Sequence, residues 1–156
     1  MNARLDYFGN PVGGKFMKSI ISAGKALIGS PLPITIQELV RMRASQINGC
    51  AVCLDMHTKE AAAAGESAVR INLVAAWREA TVFSDAERAA LEVTEQACRV
   101  ADGGGVTDEA WANAARHFDE DQLAALVGVI ALINAFNRVN AIVQNPAGDY
   151  RVGQFT

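Results

Sequence analysis

The chain has 156 residues, with 14 Lys and Arg against 17 Asp and Glu and a formal net charge of −3. That length favours one domain, and the slight acidic excess argues against a broad nucleic-acid footprint, which needs a clustered basic surface. Hydrophobic residues at 51% and charged residues at 20% are globular proportions, and the prevalence of alanine, the strongest helix former, points to an all-α fold.

Residues 1–14 carry Gly9, Pro11, Gly13 and Gly14 and read as an N-terminal arm. Residues 15–28 place Phe16, Ile20, Ile21 and Ala23 at helical spacing, and Gly29-Ser30-Pro31-Leu32-Pro33 breaks the pattern. A second helix is expected over about 36–47, where Thr35-Ile36-Gln37-Glu38 fits a capping box with Thr35 as N-cap and Glu38 at N3. Asn48-Gly49 is a turn signal. A third helix is expected over about 50–64, closed by Gly65.

Residues 67–80 read as a shorter helix containing Trp77, and Ser84-Asp85-Ala86-Glu87 opens another through a capping box to about Val100. Gly103-Gly104-Gly105 is a loop, and Thr107 begins a helix to about His117. The last and most apolar helix spans about 119–143, with Leu123, Leu126, Val127, Ile130, Ile133 and Phe136 forming a wide stripe. The expectation is therefore one domain over residues 1–156, a bundle of about six to seven helices ending in a tail at 145–156.

The longest uninterrupted apolar run, residues 123–133, falls well short of the roughly 18 to 20 residues a membrane span needs. The opening MNARLDYFGN has no apolar core followed by a cleavage site, so no secretory signal is expected. Three cysteines, two of them in a C-x-x-C, suit reduced or redox-active thiols in a cytoplasmic setting rather than a disulfide framework.

The informative stretch is Cys50-Ala51-Val52-Cys53-Leu54-Asp55-Met56-His57. At about 100° per residue, Cys50, Cys53 and His57 share one helix face. An i, i+3 pair has Cα atoms about 5 Å apart, which a disulfide accepts. The Asn48-Gly49 turn puts both cysteines in the first helical turn, where unsatisfied N–H groups and the helix dipole stabilise a thiolate. Cys53, four residues before His57, is assigned as the activated nucleophile. Cys50, nearer the helix mouth, is assigned as the resolving thiol and is expected to be the more exposed.

Other readings stand beside this one. Two cysteines and His57, completed by Glu38, could form a zinc site. Cys98 and Trp77 read as core residues. His117 reads as a helix C-terminal cap and Asp55 as a solvated or dipole-supporting acid. Asn134, Asn137 and Asn140, in an apolar helix, must be hydrogen-bonded and read as contacts between helices or subunits.

Glu38, twelve residues before Cys50, followed by Arg43-Ala44-Ser45-Gln46-Ile47-Asn48-Gly49-Cys50 and then Cys53, Asp55, Met56 and His57, resembles the alkylhydroperoxidase D (AhpD) family, within the carboxymuconolactone decarboxylase superfamily. Ala76-Trp77-Arg78-Glu79, Glu87-Arg88-Ala89-Ala90-Leu91 and Ile133-Asn134-Ala135-Phe136-Asn137-Arg138 echo it further. The resemblance implies an AhpD-like helical bundle, a homo-oligomer and a proton relay in which Glu38 polarises His57 and His57 deprotonates Cys53, directly or through water. The best-known members carry a histidine between the two cysteines, where this chain has Val52.

The expected activity is reduction of alkyl hydroperoxides through the Cys50–Cys53 dithiol, with an external thiol or protein reductant. No metal, organic cofactor, nucleic acid or membrane is expected to take part. The alternatives are a carboxymuconolactone decarboxylase-type enzyme, whose chemistry needs no dithiol, and a non-enzymatic zinc-binding or redox-sensing module.

Overall fold

The computed structural model describes residues 2–154. Their regular structure is entirely helical: α1 (Pro11–Lys25), α2 (Ile34–Asn48), α3 (Ala51–Ala63), α4 (Ala68–Leu73), a 3-10 turn (Val74–Ala76), α5 (Asp85–Cys98), α6 (Val100–Gly103), α7 (Asp108–Ala114) and α8 (Glu120–Val143). The described residues thus hold eight α-helices rather than six or seven. A short α6 follows α5, and the helix expected over 67–80 splits, its pitch tightening where Val74 and Trp77 enter the core.

α2 is the hub, and α3, α5 and α8 all pack on it. Ile36, Leu39, Val40, Met42 and Ala44 are buried around most of its circumference, as expected of an interior helix. On one side Ile36 and Val40 meet Ala89 and Val93 of α5 and Leu126, Val129 and Ile130 of α8. On another, Leu39 and Met42 meet Val74, Trp77, Phe83 and Leu91. Each large apolar side chain so buried contributes on the order of 2 kcal/mol, so this axis supplies much of the stability of the fold. By length and composition α8 would pass for a membrane span. Here Leu126, Val129, Ile130 and Ile133 are buried on its inner face, making it a core helix of the bundle.

Two helix starts differ from the sequence reading. α1 begins at Pro11, inside the expected arm. Asn10 caps it, its Oδ1 accepting from Val12 N at 2.9 Å and Gly13 N at 3.1 Å, with Pro11 at the first helical position. Position 13 requires glycine within the helix, because a Cβ there would lie 2.2 Å from the Tyr7 carbonyl oxygen. The segment before it is tied down, with Arg4 N donating to Val143 O at 2.7 Å. α2 begins at Ile34, with Pro33 as N-cap and no side-chain cap. The Thr35–Glu38 capping box does not form, because Thr35 already lies inside the helix and Glu38 is engaged elsewhere. The boxes at Ser84–Glu87 and Asp119–Gln122 do form.

Beyond α8 the chain reverses at Gln144, in the left-handed region (φ 53°), and runs back along α3. Asp55 Oδ2 accepts from Gly148 N at 2.7 Å and Tyr150 N at 3.1 Å, and Lys59 Nζ donates to the Gly148 and Tyr150 carbonyls. Glu60 accepts from the Tyr150 hydroxyl and, at 2.8 Å, from Gly153 N. Asp55 is therefore an anchor for the tail, not a merely solvated acid. Burial and the Glu60 carboxylate push the Tyr150 phenol up to about 12. Met1 of the expected arm and Phe155 and Thr156 of the expected tail lie outside the described residues.

Candidate active site

The α2–α3 junction presents the two cysteines. Gly49 closes α2 with φ 66°, a conformation that favours glycine, and Cys50 N donates back to Ser45 O at 3.0 Å. Cys50 is then the N-cap of α3, and its Sγ accepts from Cys53 N at 3.3 Å. The two residues are joined as a disulfide with a Cα–Cα distance of 5.4 Å. Their i, i+3 spacing thus closes without disturbing α3.

Both sulfurs are buried, Cys50 at 1% and Cys53 at 2% exposure. The expectation that Cys50 is the more exposed does not hold. As N-cap it folds into the junction, where Ala44 of α2 and Ile133 of α8 wall it in, with Val52, Cys98 and Phe136 packed alongside. Val52 serves here as apolar packing. Cys98 is a free thiol, which burial pushes up from its ordinary value against the weaker effect of an Asn134 N–H 3.4 Å away.

His57, one turn beyond Cys53, is buried and donates from Nδ1 to Glu38 Oε2 at 2.8 Å. Glu38 Oε1 accepts from Arg41 Nη1 at 2.5 Å, and Arg41 is steadied by Gln37 at 2.9 Å. Burial alone would raise the Glu38 carboxyl. The His57 hydrogen bond and charge, followed by the Arg41 guanidinium, outweigh burial and hold it below the usual carboxylate range. An ionised Glu38 holds a proton on the Nδ1 nitrogen that faces it. No hydrogen bond joins His57 to either sulfur while the disulfide is closed, among the described residues. Glu38 also lines an open cleft of about 140 Å³ with Ile34, Thr35, Met42 and Ala61, so its carboxylate borders solvent-accessible space.

Cys50, Cys53, His57 and Glu38 therefore lie in one sector of the molecule. Among the described residues, no three His, Cys, Asp or Glu side chains converge as metal ligands. Sequence reading did not assign the asparagines of α8 to this sector. Asn48 Nδ2 donates to Asn134 Oδ1 at 2.9 Å and Asn137 Oδ1 at 3.0 Å, and Asn137 Nδ2 donates to Ser45 Oγ at 3.1 Å. This seam locks the end of α2 that presents Cys50. Asn140 Nδ2 lies 3.5 Å from Cys53 Sγ, and Asn140 Oδ1 accepts from Asn145 Nδ2 at 2.7 Å. The visible signal was three asparagines in an otherwise apolar helix, but their partners are set by how α8 is rotated in the bundle. Trp77 is a core residue whose indole N–H meets Glu95 at 2.9 Å. His117 follows the end of α7 on an exposed turn.

An all-helical bundle with a dithiol at the start of one helix and a Glu–His pair beside it defines a class of thiol protein. The chain belongs to the carboxymuconolactone decarboxylase family, which it matches over residues 14–96, and to the AhpD-like proteins within it. It is 36% identical over 147 residues to the uncharacterised protein YdfG of Bacillus subtilis, covering 94% of this chain and 98% of YdfG. The crystal structure of ATU0492 from Agrobacterium tumefaciens superposes with a TM-score of 0.88 at 30% identity, covering 96% of this chain and all of that one. ATU0492 is itself of unknown function, with antioxidant defence protein AhpD as its suggested label. An uncharacterised peroxidase-related protein of Ralstonia eutropha, described as an AhpD core, shares the fold with a TM-score of 0.76 at 16% identity, over 87% of this chain and 72% of its own.

Proposed function

We propose that the protein is a thiol-dependent peroxidase that reduces alkyl hydroperoxides through the Cys50–Cys53 dithiol. The observation that carries this reading is the Glu38–His57 hydrogen bond, 2.8 Å long, one helical turn beyond a cysteine pair able to close on itself. The label of ATU0492 and the description of the Ralstonia protein point the same way. A decarboxylase would have no use for the dithiol.

In the reduced form His57, oriented by Glu38, takes the Cys53 proton directly or through one water. Cys53 Sγ attacks a peroxide oxygen and the O–O bond breaks. The alcohol leaves with a proton from the imidazolium, and Cys53 is left as a sulfenic acid. Cys50 then attacks Cys53 Sγ, the S–S bond forms and water departs. An external dithiol returns two electrons by attacking Cys50 Sγ, which expels Cys53 as a thiolate. A reducing, cytoplasmic setting suits a pair that must be reopened at every turnover. A homo-oligomer would cover the exposed Phe8, Val12, Phe16 and Ile21 near and along α1.

The test is consumption of cumene hydroperoxide with dihydrolipoamide as reductant. The wild type should turn over, Cys53→Ser should be inactive, and one equivalent of peroxide should produce the Cys50–Cys53 disulfide by peptide mass spectrometry. Full turnover by Cys53→Ser, or two free thiols after peroxide, would sink the reading.

A further inference from the structure

The hydrogen bond to Cys53 from outside its own helix comes from the far end of the chain. Asn140 of α8 is 8% exposed, and its side-chain nitrogen lies 3.5 Å from Cys53 Sγ. Its orientation is set from behind, since its Oδ1 accepts from Asn145 Nδ2 at 2.7 Å. Asn145 is in turn held by its own N–H, which donates to Asn140 O at 3.2 Å. The left-handed Gln144 reverses the chain just before it. Pro146 follows, and a residue preceding proline is kept out of the helical region. The amide is thus presented to the sulfur as a donor.

We propose that Asn140 is a further catalytic residue, donating its amide N–H to the Cys53 thiolate, and that Asn145 is the positioning residue that keeps that N–H turned towards sulfur. The role rests on the reading of Cys53 as the nucleophile of a dithiol cycle, and it serves both halves of that cycle. With the thiols reduced, a charge-assisted hydrogen bond favours the thiolate that attacks the peroxide. In the return step the external thiolate forms a bond to Cys50 Sγ, the Cys50–Cys53 bond breaks, and its electron pair stays on Cys53 Sγ. A leaving thiolate already provided with a donor departs faster. The titratable and charged groups in this sector are Cys50, His57 and Glu60 with α3, Glu38 and Arg41 on α2 and Cys98 on α5. Asn140 is the contribution of α8, and its amide keeps its donor at every pH.

The experiment uses the reduced full-length protein and reads the rate of carbamidomethylation at each cysteine against pH by peptide mass spectrometry. It compares wild type with Asn140→Leu, of similar volume but without a donor, and with Asn145→Ala. In Asn140→Leu the Cys53 profile should move up by about one unit, a roughly tenfold loss of reactivity on its rising limb, with Cys50 changed less than about twofold. The same loss should make the couple about 30 mV more reducing in a thiol–disulfide buffer, since a tenfold change corresponds to that shift for two electrons. Asn145→Ala should move Cys53 in the same direction by a smaller step. If Asn140→Leu does not fold, Asn145→Ala decides.

A folded Asn140→Leu with the wild-type Cys53 profile overturns the role, as does a shift confined to Cys50. If Asn140→Leu is lost, an unshifted Asn145→Ala overturns it. A wild type inert towards hydroperoxides, whose Cys53 titration still depends on Asn140, would defeat the peroxidase reading and leave this one standing. An active wild type with an unmoved Cys53 would do the reverse.

Discussion

Glu38 and Glu95 are both glutamates withdrawn from solvent, both paired with arginine and both held below the ordinary carboxylate range, yet their surroundings differ in kind. Glu95 of α5 accepts from Arg43, through Nε at 2.7 Å and also through Nη2, from Trp77 Nε1 at 2.9 Å and from Arg78 Nη2 at 2.9 Å. Burial would raise its carboxyl, and Trp77, Arg43 and Arg78 together overcome that. None of those donors releases a proton near neutral pH. The cluster ties α2, α5 and the segment after α4 into one body. Glu38 has one arginine and one imidazole, and the imidazole can exchange its proton. A saturated carboxylate stabilises the fold, whereas one whose partner titrates can take part in proton transfer. Placement decides the rest, because Glu38 faces the helix carrying the dithiol and borders an open cleft.

The contrast breaks if the two positions respond alike to the same isosteric change. Glu38→Gln should cost the most in activity: about a thousandfold in kcat/KM towards cumene hydroperoxide, the scale of losing an oriented general base. Its urea midpoint should move comparatively little. Glu95→Gln should do the opposite. Removing one partner from a buried ion-pair cluster costs about 3 kcal/mol of stability, read as a lower urea midpoint, with the rate per folded molecule within a few-fold of wild type.

Acid sharpens the comparison. Both carboxyls are depressed in the folded state from an unfolded value of about 4.5. The stability each contributes is therefore fully present above that pH and is lost as the pH falls through the lower folded value. Urea midpoints measured from pH 6 down to 3 should fall below about pH 4.5 in the wild type and fall less steeply in Glu95→Gln, where the depressed Glu38 carboxyl remains. The smallest effect belongs to the tail clamp. Asp55→Asn weakens an ion pair with Lys59 and the acceptor for Gly148 and Tyr150 N–H. Amide hydrogen exchange at those two residues should quicken, while global stability changes by about 1 kcal/mol or less.

The misreadings share a cause. Gly13 and Gly14 look like loop residues by propensity, but α1 needs them because the preceding chain passes too close for a side chain. Thr35 and Glu38 satisfy a capping pattern, but the helix starts two residues earlier and Glu38 turns to α3. Cys50 at a helix mouth suggests exposure, but α8 covers it. In each case a local rule lost to a contact with another segment of the chain or to a shift of two residues in a boundary.

What the chain dictated unaided was the all-helical class and the shared face of Cys50, Cys53 and His57, because both follow from helical periodicity and from residues within seven positions of one another. The pairing of Glu38 with His57 was readable through a family resemblance and not through spacing, which supports a cap equally well. The tertiary structure alone decided that the sulfurs are buried, that Asp55 holds the tail, and that Asn140, 87 residues after Cys53, reaches its sulfur. Those outcomes depend on the rotation and depth of α8 against α2 and α3, which the packing of the whole core sets and no local pattern encodes.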